Sequence, residues 1–329
     1  MIHSHIHVFI EVRDQKLMDV SLELLHEANE LKKQYKNKGI DQKVIAMLLG
    51  YQIQSMIETC YRFGADEVIV VDHEKLMYPT SQHTTAALVQ CINQFHPEVL
   101  LIGATVVGRD IAPRVAAEVA TGLTADVTIL EVDPLENSNL LLMTRPAFGG
   151  NLYGTIICPD TFPQMASVRP SVFIKKEYHK PVVVPIHVTV NFDQNDWIEV
   201  VQRYHKPEQA IDLSKAKIIL SAGRGVESCM DIVLETAHLL KATLGASRAL
   251  VDRGVVSKVN QVGQTGTTVR PSIYLACGIS GALQHTAGMD QAQTIIAINT
   301  DEQAPIFSVA TLGIVADAKE VLLKLKDYI

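Results

Sequence analysis

The residues best suited to chemistry in this sequence are glycines and polar side chains in five short segments of the last third. These segments are residues 221–225, 245–248, 261–266 and 278–285, and Asn299. Glycine lets backbone N–H groups approach a pyrophosphate closely, and a helix N-terminus adds partial positive charge there. One glycine turn after a strand is usually only a turn. Five such segments at one edge of a parallel sheet predict a dinucleotide site.

Three well-known motifs are missing from these segments. No GxGxxG opens a first βα unit and no GxxxxGK[ST] occurs, so neither a standard NAD site nor a P-loop is indicated. Residues 278–281 read GISG rather than GxSxG, so Ser280 is not supported as a nucleophile. His285 keeps two interpretations, as a buried hydrogen-bonded histidine or as a donor to an electron-rich ring.

Strands and helices must bring these segments to one edge. Apolar runs predict strands at 217–220, 273–276, 294–298 and 313–316, and helical patterns follow at 228–241, 278–286 and 318–325. Because parallel strands with helical crossovers present their carboxyl ends together, this alternation predicts a second α/β domain with the site along its edge.

The first half of the chain shows the same alternation. Residues 5–11, 43–49, 67–71 and 98–102 predict strands, and 16–33, 54–63 and 84–95 predict helices, which together indicate a parallel sheet covered on both faces. After Thr121, predicted strands at 128–132, 140–144, 154–157 and 182–190 follow without long helices and indicate an added β section. Residues 191–206 are polar and predict a linker, which gives domains 1–206 and 207–329.

Composition limits the function. The net charge is −7, which argues against nucleic-acid binding, and no apolar run approaches the ~20 residues needed for membrane insertion. The first residues do not resemble a secretory signal, so we expect a soluble cytoplasmic protein. The five cysteines form no CxxC pair and are expected to be reduced thiols. Redox chemistry would therefore come from a bound cofactor.

The motifs of the last third carry a resemblance to a known family. Residues 272–299, SIYLACGISGALQHTAGMDQAQTIIAIN, resemble the signature of electron transfer flavoprotein alpha subunits. The motifs GRG at 223–225, GASR at 245–248 and QVGQTG at 261–266 match the family in order and spacing, as do APIF at 304–307 and GIVAD at 313–317. The resemblance extends over the whole chain and is densest in the last third.

The resemblance implies a two-domain α/β fold. Its N-terminal domain would be similar to adenine-nucleotide hydrolases and contact a beta subunit, and its C-terminal domain would be Rossmann-like and bind one FAD. It places Arg248 against the flavin ring, Thr265 near N5 and O4, and His285 on the O2 side. The remaining implied FAD-binding residues are Arg224, Ser247, Gln261, Val262, Gly263, Gln264, Gly266, Ser280, Gly281, Ala282, Leu283, Gln284, Asn299, Asp317 and Ala318.

Two segments of the first domain have a functional and a structural interpretation. Residues 144–151, TRPAFGGN, with 163–169, resemble clostridial-type electron-bifurcating members, in which Arg145 would reach a second FAD held mainly by the beta subunit. The alternative is a structural arginine in a β-turn region. Residues 108–114 could hold a phosphate or form the partner interface, or could simply open a helix with Asp110 in its first turn.

His3, His5 and His7 alternate on one predicted strand. A hydrolase metal site would need further histidines and an acid at later strand ends of a barrel, which this pattern does not provide. The half-exposed edge of a first strand is the preferred interpretation.

The leading hypothesis is an electron carrier rather than an enzyme, since no acid–base set for a substrate is visible. It would work with a beta subunit that holds a second FAD or AMP, and with an acyl-CoA or hydroxyacid dehydrogenase and ferredoxin as redox partners. A second hypothesis is an adenine-nucleotide-binding regulatory or hydrolase protein that uses the N-terminal domain. A third, a nicotinamide-dependent dehydrogenase, lacks the expected fingerprint.

Overall fold

The computed structural model describes residues 4–78, 80–136, 138–147, 152–178, 180–192, 198–203 and 213–328. The chain divides into two compact units, called here unit 1, whose described residues lie between 4 and 203, and unit 2, which comprises 213–328. The predicted domain boundary between residues 206 and 207, and half of the predicted linker, lie outside the described residues.

Unit 1 begins as a βαβ alternation and ends in short strands. Its elements are β1 Ser4–Ile10, β2 Val12–Arg13, β3 Lys16–Leu17, α1 Asp19–Asn37, β4 Val44–Gly50, α2 Ile57–Arg62, β5 Glu67–Asp72, α3 Ser81–Phe95, β6 Pro97–Gly103, α4 Val106–Glu118, β7 Leu123–Val127, β8 Ile129–Val132, β9 Leu141–Ala147, β10 Leu152–Ile156, β11 Gln164–Val168 and β12 Ile186–His187. Short 3-10 turns cover Gln54–Met56 and Glu74–Leu76.

Seven strands of unit 1 form one parallel sheet in the order β12-β5-β4-β1-β6-β11-β7. Both faces are covered, because Ile6 and Val8 of β1 pack into one apolar core and Phe9 packs into the other. The added β section is a separate antiparallel sheet, β10-β9-β8. These observations confirm the predicted class of the first domain.

The order of this sheet reverses between β1 and β6, and such a switch point is where an open parallel sheet is expected to form a crevice at its carboxyl edge. Glu11, which follows β1, is buried there. Its carboxylate accepts a hydrogen bond from the Thr105 hydroxyl at 2.6 Å and one from Arg13 at 2.7 Å. A buried, hydrogen-bonded carboxylate of unit 1 thus lies at its own switch point.

Unit 2 is a smaller doubly wound α/β fold. Its elements are β13 Ile218–Ala222, α5 Met230–Leu239, β14 Thr243–Ala246, α6 Arg248–Asp252, β15 Ile273–Cys277, α7 Leu283–Thr286, β16 Thr294–Asn299, β17 Leu312–Val315 and α8 Ala318–Lys326, with 3-10 turns at Leu213–Lys215, Arg224–Cys229, Lys258–Asn260 and Pro305–Ser308. All five strands are parallel in the order β14-β13-β15-β16-β17.

Several predicted elements differ from the structure. Residues 182–190 form only the two-residue strand β12, because Val182, Val183 and Val184 are exposed and pair with no neighbouring strand. The helix predicted over 278–286 is reduced to α7, since Gly278 and Gly281 have positive φ angles that end regular structure. The strands β2, β3, β7, β11 and β14 were not predicted, and β3 lies where the predicted helix 16–33 begins.

The interpretation of His7 was wrong. β1 lies in the middle of the sheet, between β4 and β6, rather than at an edge. His7 is 1% exposed, and its Nδ1 has no hydrogen-bond partner in the part of the chain that the structure describes. Burial, with a smaller contribution from His5, lowers the pKa of His7 to about 3, so the ring is neutral at pH 7. His3 lies outside the described residues.

Other expectations concern the whole chain. All five cysteines are free thiols, and four of them are buried, as expected. Across the residues that the structure describes, no helix has both the length and the apolar character to cross a bilayer. Within the same described ranges, no group of three or more histidine, cysteine or acidic side chains is placed to hold a metal ion.

Candidate functional site

The carboxyl edge of the unit 2 sheet holds a cleft of about 810 Å³. The chain passes from β13 to β14 on one side and places β15 on the other, so the sheet order reverses between β13 and β15. Ligands bind open parallel sheets at such a switch point, and the volume lies within the range usual for small-molecule sites. Residues from all five glycine-rich or polar segments line this cleft.

Glycines hold the two turns at the switch point together. A Cβ on Gly223 would lie 2.1 Å from the Gly278 carbonyl oxygen, and one on Gly278 would lie 2.7 Å from the Gly225 Cα. Gly278 also has φ +61°, a conformation that side chains rarely adopt. Backbone bonds join the same turns, from Gly223 N–H to the Cys277 carbonyl at 2.8 Å and from Gly225 N–H to the Gly278 carbonyl at 3.1 Å. The two turns therefore meet backbone against backbone, with no room for a side chain between them.

A second pair of segments is joined in the same way. A Cβ on Gly263 would lie 2.6 Å from the Gln284 carbonyl oxygen, and one on Gly288 would lie 2.5 Å from the Gly263 Cα. The Gln264 N–H donates to that Gln284 carbonyl at 2.7 Å. This interlock, formed by residues 261–267 and 282–288, places Thr265 and His285 on one rigid support.

Two polar side chains at the cleft are hydrogen-bonded to neighbouring loop residues, and a third has no partner among the described residues. Gln261 Nε2 donates to Thr265 Oγ1 at 2.9 Å, and Asn299 Nδ2 donates to the Ile279 carbonyl at 2.9 Å. These bonds brace the loops. Ser247 Oγ, by contrast, is buried and has no partner among the described residues. A buried hydroxyl without a partner is uncommon in folded proteins, and the contact of Ser247 with a ligand stays a prediction.

Three arginines and two acids give the cleft an excess of one positive charge. Arg248 Nε lies 3.1 Å from Asp252 Oδ2 on α6, and Arg253 lies 2.9 Å from Glu227. Arg224 is exposed at the switch point. The Arg248 side chain is 67% exposed, so its pairing with Asp252 is weak and the guanidinium can turn toward a ligand.

His285 is 7% exposed and lines the cleft. Burial lowers its pKa to about 4, a shift that the Val262 backbone partly opposes, so the imidazole is neutral at pH 7. Its Nε2 lies 2.9 Å from the Tyr274 hydroxyl, and its Nδ1 has no hydrogen-bond partner within the described chain. The two interpretations of His285 are thus compatible, since one ring nitrogen is bonded inside the protein and the other is free.

The cleft brings together most of the predicted site residues. Those that line it are Arg224, Ser247, Arg248, Gln261, Val262, Gly263, Thr265, Ser280, Ala282, Gln284, His285 and Asn299. Those that do not line it are Gln264, Gly266, Gly281, Leu283, Asp317 and Ala318. Of the latter, Asp317 caps α8 by accepting the Lys319 N–H at 2.7 Å, and Gly281 packs against the Ile306 backbone. Their contact with a ligand stays a prediction.

The sequence analysis missed several lining residues, namely Gly223, Gly225, Glu227, Ala249, Asp252, Arg253, Gly278 and Ile279. The glycines lay inside the predicted segments but were not assigned as contacts. Asp252 could have been found from its spacing, because a residue four positions after Arg248 on a helix lies beside it. Nothing in the spacing of Glu227 and Arg253 predicts that they form a pair.

Arg145 lies in unit 1, on β9 opposite Gly154 of β10. It is half-buried, and its positive charge helps to lower the pKa of Asp126. Burial raises the pKa of Asp126, but Arg169, bonded at 2.6 Å, together with Arg109 and Arg145, holds it below its usual value. Three guanidinium groups around one carboxylate leave an excess of positive charge at this place. Phe148 to Asn151 of the TRPAFGGN motif lie outside the described residues.

The helix predicted to open near Gly108 is α4, which begins at Val106. Thr105 is its N-cap and accepts the Gly108 N–H at 3.0 Å. A Cβ on Gly108 would lie 1.8 Å from the Gly103 carbonyl oxygen. Asp110 bonds to Ser81 and Arg114. These contacts support the structural interpretation of this segment, a normal helix start.

The doubly wound topology, the glycine turns at the switch point and the excess of positive charge fit a dinucleotide. Ser247 Oγ and His285 Nδ1 have no hydrogen-bond partner among the residues that the structure describes. Unit 2 is therefore a dinucleotide-binding fold. The model of the electron transfer flavoprotein domain matches residues 6–188, and that of the electron transfer flavoprotein FAD-binding domain matches residues 212–290. The chain belongs to the electron transfer flavoprotein family, as an alpha subunit that carries electrons and binds FAD.

Characterised relatives match along nearly the whole chain. Protein FixB of Clostridium saccharobutylicum is 46% identical over 97% of this chain and 94% of that protein. The electron transfer flavoprotein subunit alpha of Clostridium acetobutylicum is 44% identical over 97% of this chain and 94% of that protein. Lactate dehydrogenase (NAD(+),ferredoxin) subunit LctC of Acetobacterium woodii is 36% identical over 100% of this chain and 77% of that protein. Alpha subunits of this family pair with a beta subunit.

Proposed function

We propose that the unit 2 cleft holds the FAD with its ring between Arg248, Thr265 and His285, and that the chain relays single electrons through it. The observation that supports this placement is the convergence of three separate loops, after β14, at 261–267 and after β15, on one cleft. A dinucleotide pyrophosphate would lie over the Gly223 and Gly278 turns, with Arg224 as its cation.

The surrounding side chains suit a ring that gains electrons. A bound flavin supplies the electron-accepting ring, and its reduction places negative charge near N1, O2 and O4. A guanidinium charge about 4 Å away favours that charge by roughly 4 kcal/mol at an effective dielectric of about 20, and solvent screening at an exposed residue reduces this. Thr265 and His285 can donate hydrogen bonds to the same side.

Asp252 acts against Arg248 in this scheme. Its carboxylate pairs with the guanidinium at 3.1 Å and brings a negative charge to the same cleft. Removing Arg248 should therefore lower the flavin reduction potential, and removing the charge of Asp252 should raise it. We expect shifts on the order of 50 mV in each direction, which corresponds to about 1 kcal/mol for one electron.

The experiment measures the reduction potential of the flavin in the purified complex with the beta subunit, for the wild type, Arg248→Ala and Asp252→Asn. Matched controls are Arg114→Ala and Asp110→Asn, which disrupt a similar exposed pair with a 3.3 Å contact on α4. A potential that stays unchanged in both cleft variants would refute the placement of the ring. A folded complex that takes up no FAD would refute the use of this cleft altogether.

The proposal extends to partners. The complex would accept electrons from NADH or a dehydrogenase. The name of the relative LctC joins a lactate dehydrogenase to NAD(+) and ferredoxin, which supports a hydroxyacid dehydrogenase and ferredoxin as partners here. An acyl-CoA dehydrogenase is the other partner of the expected class. The beta subunit would hold a second FAD or AMP. With a second FAD, the complex could divide electron pairs between two acceptors.

In such a division of electrons, Arg145 is the residue of this chain that would contact the cofactor of the beta subunit. The positive charge that Arg145 shares with Arg109 and Arg169 around Asp126 suits an anionic group of the beta-side cofactor. Arg145→Gln should lower the occupancy of the second FAD, and leave that of the unit 2 FAD unchanged. Flavin per complex, measured after denaturation, tests this. Two flavins per complex in the variant would contradict the role.

A further inference from the structure

A fully buried tyrosine lies behind the histidine of the cleft. Tyr274, on β15, is 0% exposed, and its hydroxyl lies 2.9 Å from His285 Nε2. The ring centroids are 6.1 Å apart and tilted by 60°, so the two rings meet through the hydroxyl rather than by stacking. The phenol reaches the imidazole from the core side, whereas His285 also lines the cleft.

The protons of this pair can be assigned by counting donors and acceptors. Burial raises the pKa of Tyr274, an effect that the nearby Ser221 hydroxyl partly opposes, so the phenol keeps its proton. A buried hydroxyl needs an acceptor, and His285 Nε2 lies at bonding distance. A neutral imidazole that accepts at Nε2 carries its own proton on Nδ1.

The other side of the ring gives the same assignment. The Val262 backbone raises the pKa of His285, and a backbone group acts in that direction only if its carbonyl faces the protonated ring. Because Nε2 faces the Tyr274 hydroxyl, the carbonyl acts on the Nδ1 side of the ring, where a bare nitrogen would bring two lone pairs together. Nδ1 is buried and has no partner with hydrogen-bond geometry among the described residues, so a ligand atom that reaches this wall of the cleft can accept its proton.

We propose that Tyr274 is a positioning residue that fixes His285 in the Nδ1–H tautomer and so presents a permanent neutral donor to the cleft. This inference rests on the proposed function, because the acceptor would be the flavin oxygen that gains negative charge on reduction. Tyr274 itself does not line the cleft. Without its hydroxyl the two tautomers become similar in energy, and part of the population presents a lone pair instead of a proton.

The direct test is the tautomer. The full-length complex with the beta subunit is prepared with ¹⁵N-labelled histidine, and long-range ¹H–¹⁵N correlation distinguishes protonated from bare ring nitrogens. A His285→Asn complex identifies the His285 signals. We expect a protonated Nδ1 and a bare Nε2 in the wild type, and averaged shifts in Tyr274→Phe. A protonated Nε2 in the wild type overturns the proposal without any variant.

The matched control is Tyr35→Phe in unit 1. Tyr35 is also 0% exposed, and its hydroxyl donates to the Asn139 carbonyl at 3.0 Å. Tyr35→Phe removes a buried tyrosine hydroxyl but should leave the His285 tautomer as in the wild type. An unchanged tautomer in Tyr274→Phe, or the same change in both variants, would show that the Tyr274 hydroxyl does not set it.

A double-mutant cycle measures how Tyr274 and His285 together affect the affinity for FAD. Tyr274→Phe should weaken FAD binding about fivefold, the effect of one lost hydrogen-bond bias. In His285→Asn the amide supplies a donor near the Nδ1 position whatever its neighbour is, so adding Tyr274→Phe should change binding less than twofold. Additive losses overturn the proposal. A colourless complex would refute the proposed function, and the tautomer would still be decided independently by the NMR signals.

Discussion

Units 1 and 2 each contain a parallel sheet whose strand order reverses once, and they differ in the residues that lie at this switch point. In unit 1, the buried carboxylate of Glu11 lies there and accepts hydrogen bonds from Thr105 and Arg13. In unit 2, the turns at Gly223 and Gly278 line the switch point with backbone and leave a cleft of about 810 Å³.

The difference shows that sheet topology offers a crevice and side chains decide whether a ligand can use it. A carboxylate at the crevice repels a phosphate. Gly103 also packs so closely that a Cβ there would lie 2.4 Å from Val20 Cγ1. Unit 1 is therefore a poor nucleotide site, which argues against the adenine-nucleotide hypothesis for this domain.

The largest expected effect comes from closing the cleft of unit 2. In Gly278→Ala the new Cβ would lie 2.7 Å from the Gly225 Cα, and the alanine would have to adopt a φ angle of +61°. We expect the turns to separate and FAD to bind about 100-fold more weakly, which equals about 2.7 kcal/mol. Isothermal titration of the apo complex with FAD measures this.

The matched control for that variant is Gly154→Ala on β10, where a Cβ would meet nothing within 4 Å. It should bind FAD as the wild type does. If Gly278→Ala also keeps wild-type affinity, the turns do not form the phosphate site, and the contrast between the two crevices loses its meaning.

A second variant opens the crevice of unit 1. Glu11→Ala removes the acceptor of Thr105 and Arg13, and we expect the free energy of unfolding of unit 1 to fall by about 2–3 kcal/mol, with FAD affinity unchanged. Urea unfolding measures this, with Glu58→Ala on the exposed face of α2 as control. Binding of ATP to unit 1 of the wild type would break the comparison.

The buried histidine of each unit predicts a dependence of stability on pH. The pKa of His7 is lowered to about 3 and that of His285 to about 4, from 6.5, so both stay neutral when folded while the unfolded chain binds protons below pH 6.5. The stability each provides is complete above pH 6.5 and is lost as the pH falls toward the folded pKa. Each should cost about 2 kcal/mol between pH 7 and pH 5.

His7→Leu isolates the contribution of unit 1. Glu27, whose pKa burial and Glu30 raise to about 7, changes the stability in the opposite direction, but it is present in both proteins. Between pH 7 and pH 5, the free energy of unfolding of the variant should therefore fall by about 2 kcal/mol less than that of the wild type. Hydrogen exchange, followed separately in the two units, checks that only unit 1 changes. Equal pH dependence in both proteins would show that His7 titrates normally.

The smallest expected effect concerns Asp317. Asp317→Ala should destabilise α8 by about 1 kcal/mol because the cap to the Lys319 N–H is lost, and Asp317→Asn should keep most of that stability. Thermal unfolding measures both. If Asp317 also contacts the dinucleotide through its charge, Asp317→Asn will weaken FAD binding. If Asp317 acts only as a helix cap, Asp317→Asn will bind FAD as the wild type does, and FAD affinity can fall only in Asp317→Ala, where α8 is destabilised.

The parallel strands were predictable because buried strands are continuous apolar runs. Strands β4, β5, β6 and β15 all lie within one or two residues of their predicted positions. β11 was missed because its sequence, QMASV, mixes polar and apolar residues although all five are buried. The order of strands in a sheet cannot be inferred from such runs, and this is why β1 was assigned to an edge and His7 to a half-exposed face.

The candidate site was predictable where backbone geometry demands glycine. The turns at 221–225 and 278–281 were located from their glycines alone. The charges that modify the cleft were not predicted. Asp252 lies four residues after Arg248 and could have been paired with it from that spacing. The pair of Glu227 and Arg253 depends on how α6 packs against the 3-10 turn Arg224–Cys229, which no local pattern encodes.

The interlock of residues 261–267 and 282–288 has a consequence for the speed of electron transfer. Its contacts are backbone against backbone, from Gly263 to Gln284 and from Gly288 to Gly263, so neither loop can shift without the other. The rate at which an electron hops depends on how far the surroundings rearrange when charge arrives. A support that cannot yield keeps this reorganisation energy small, because the dipoles facing the ring are already in place for either charge state.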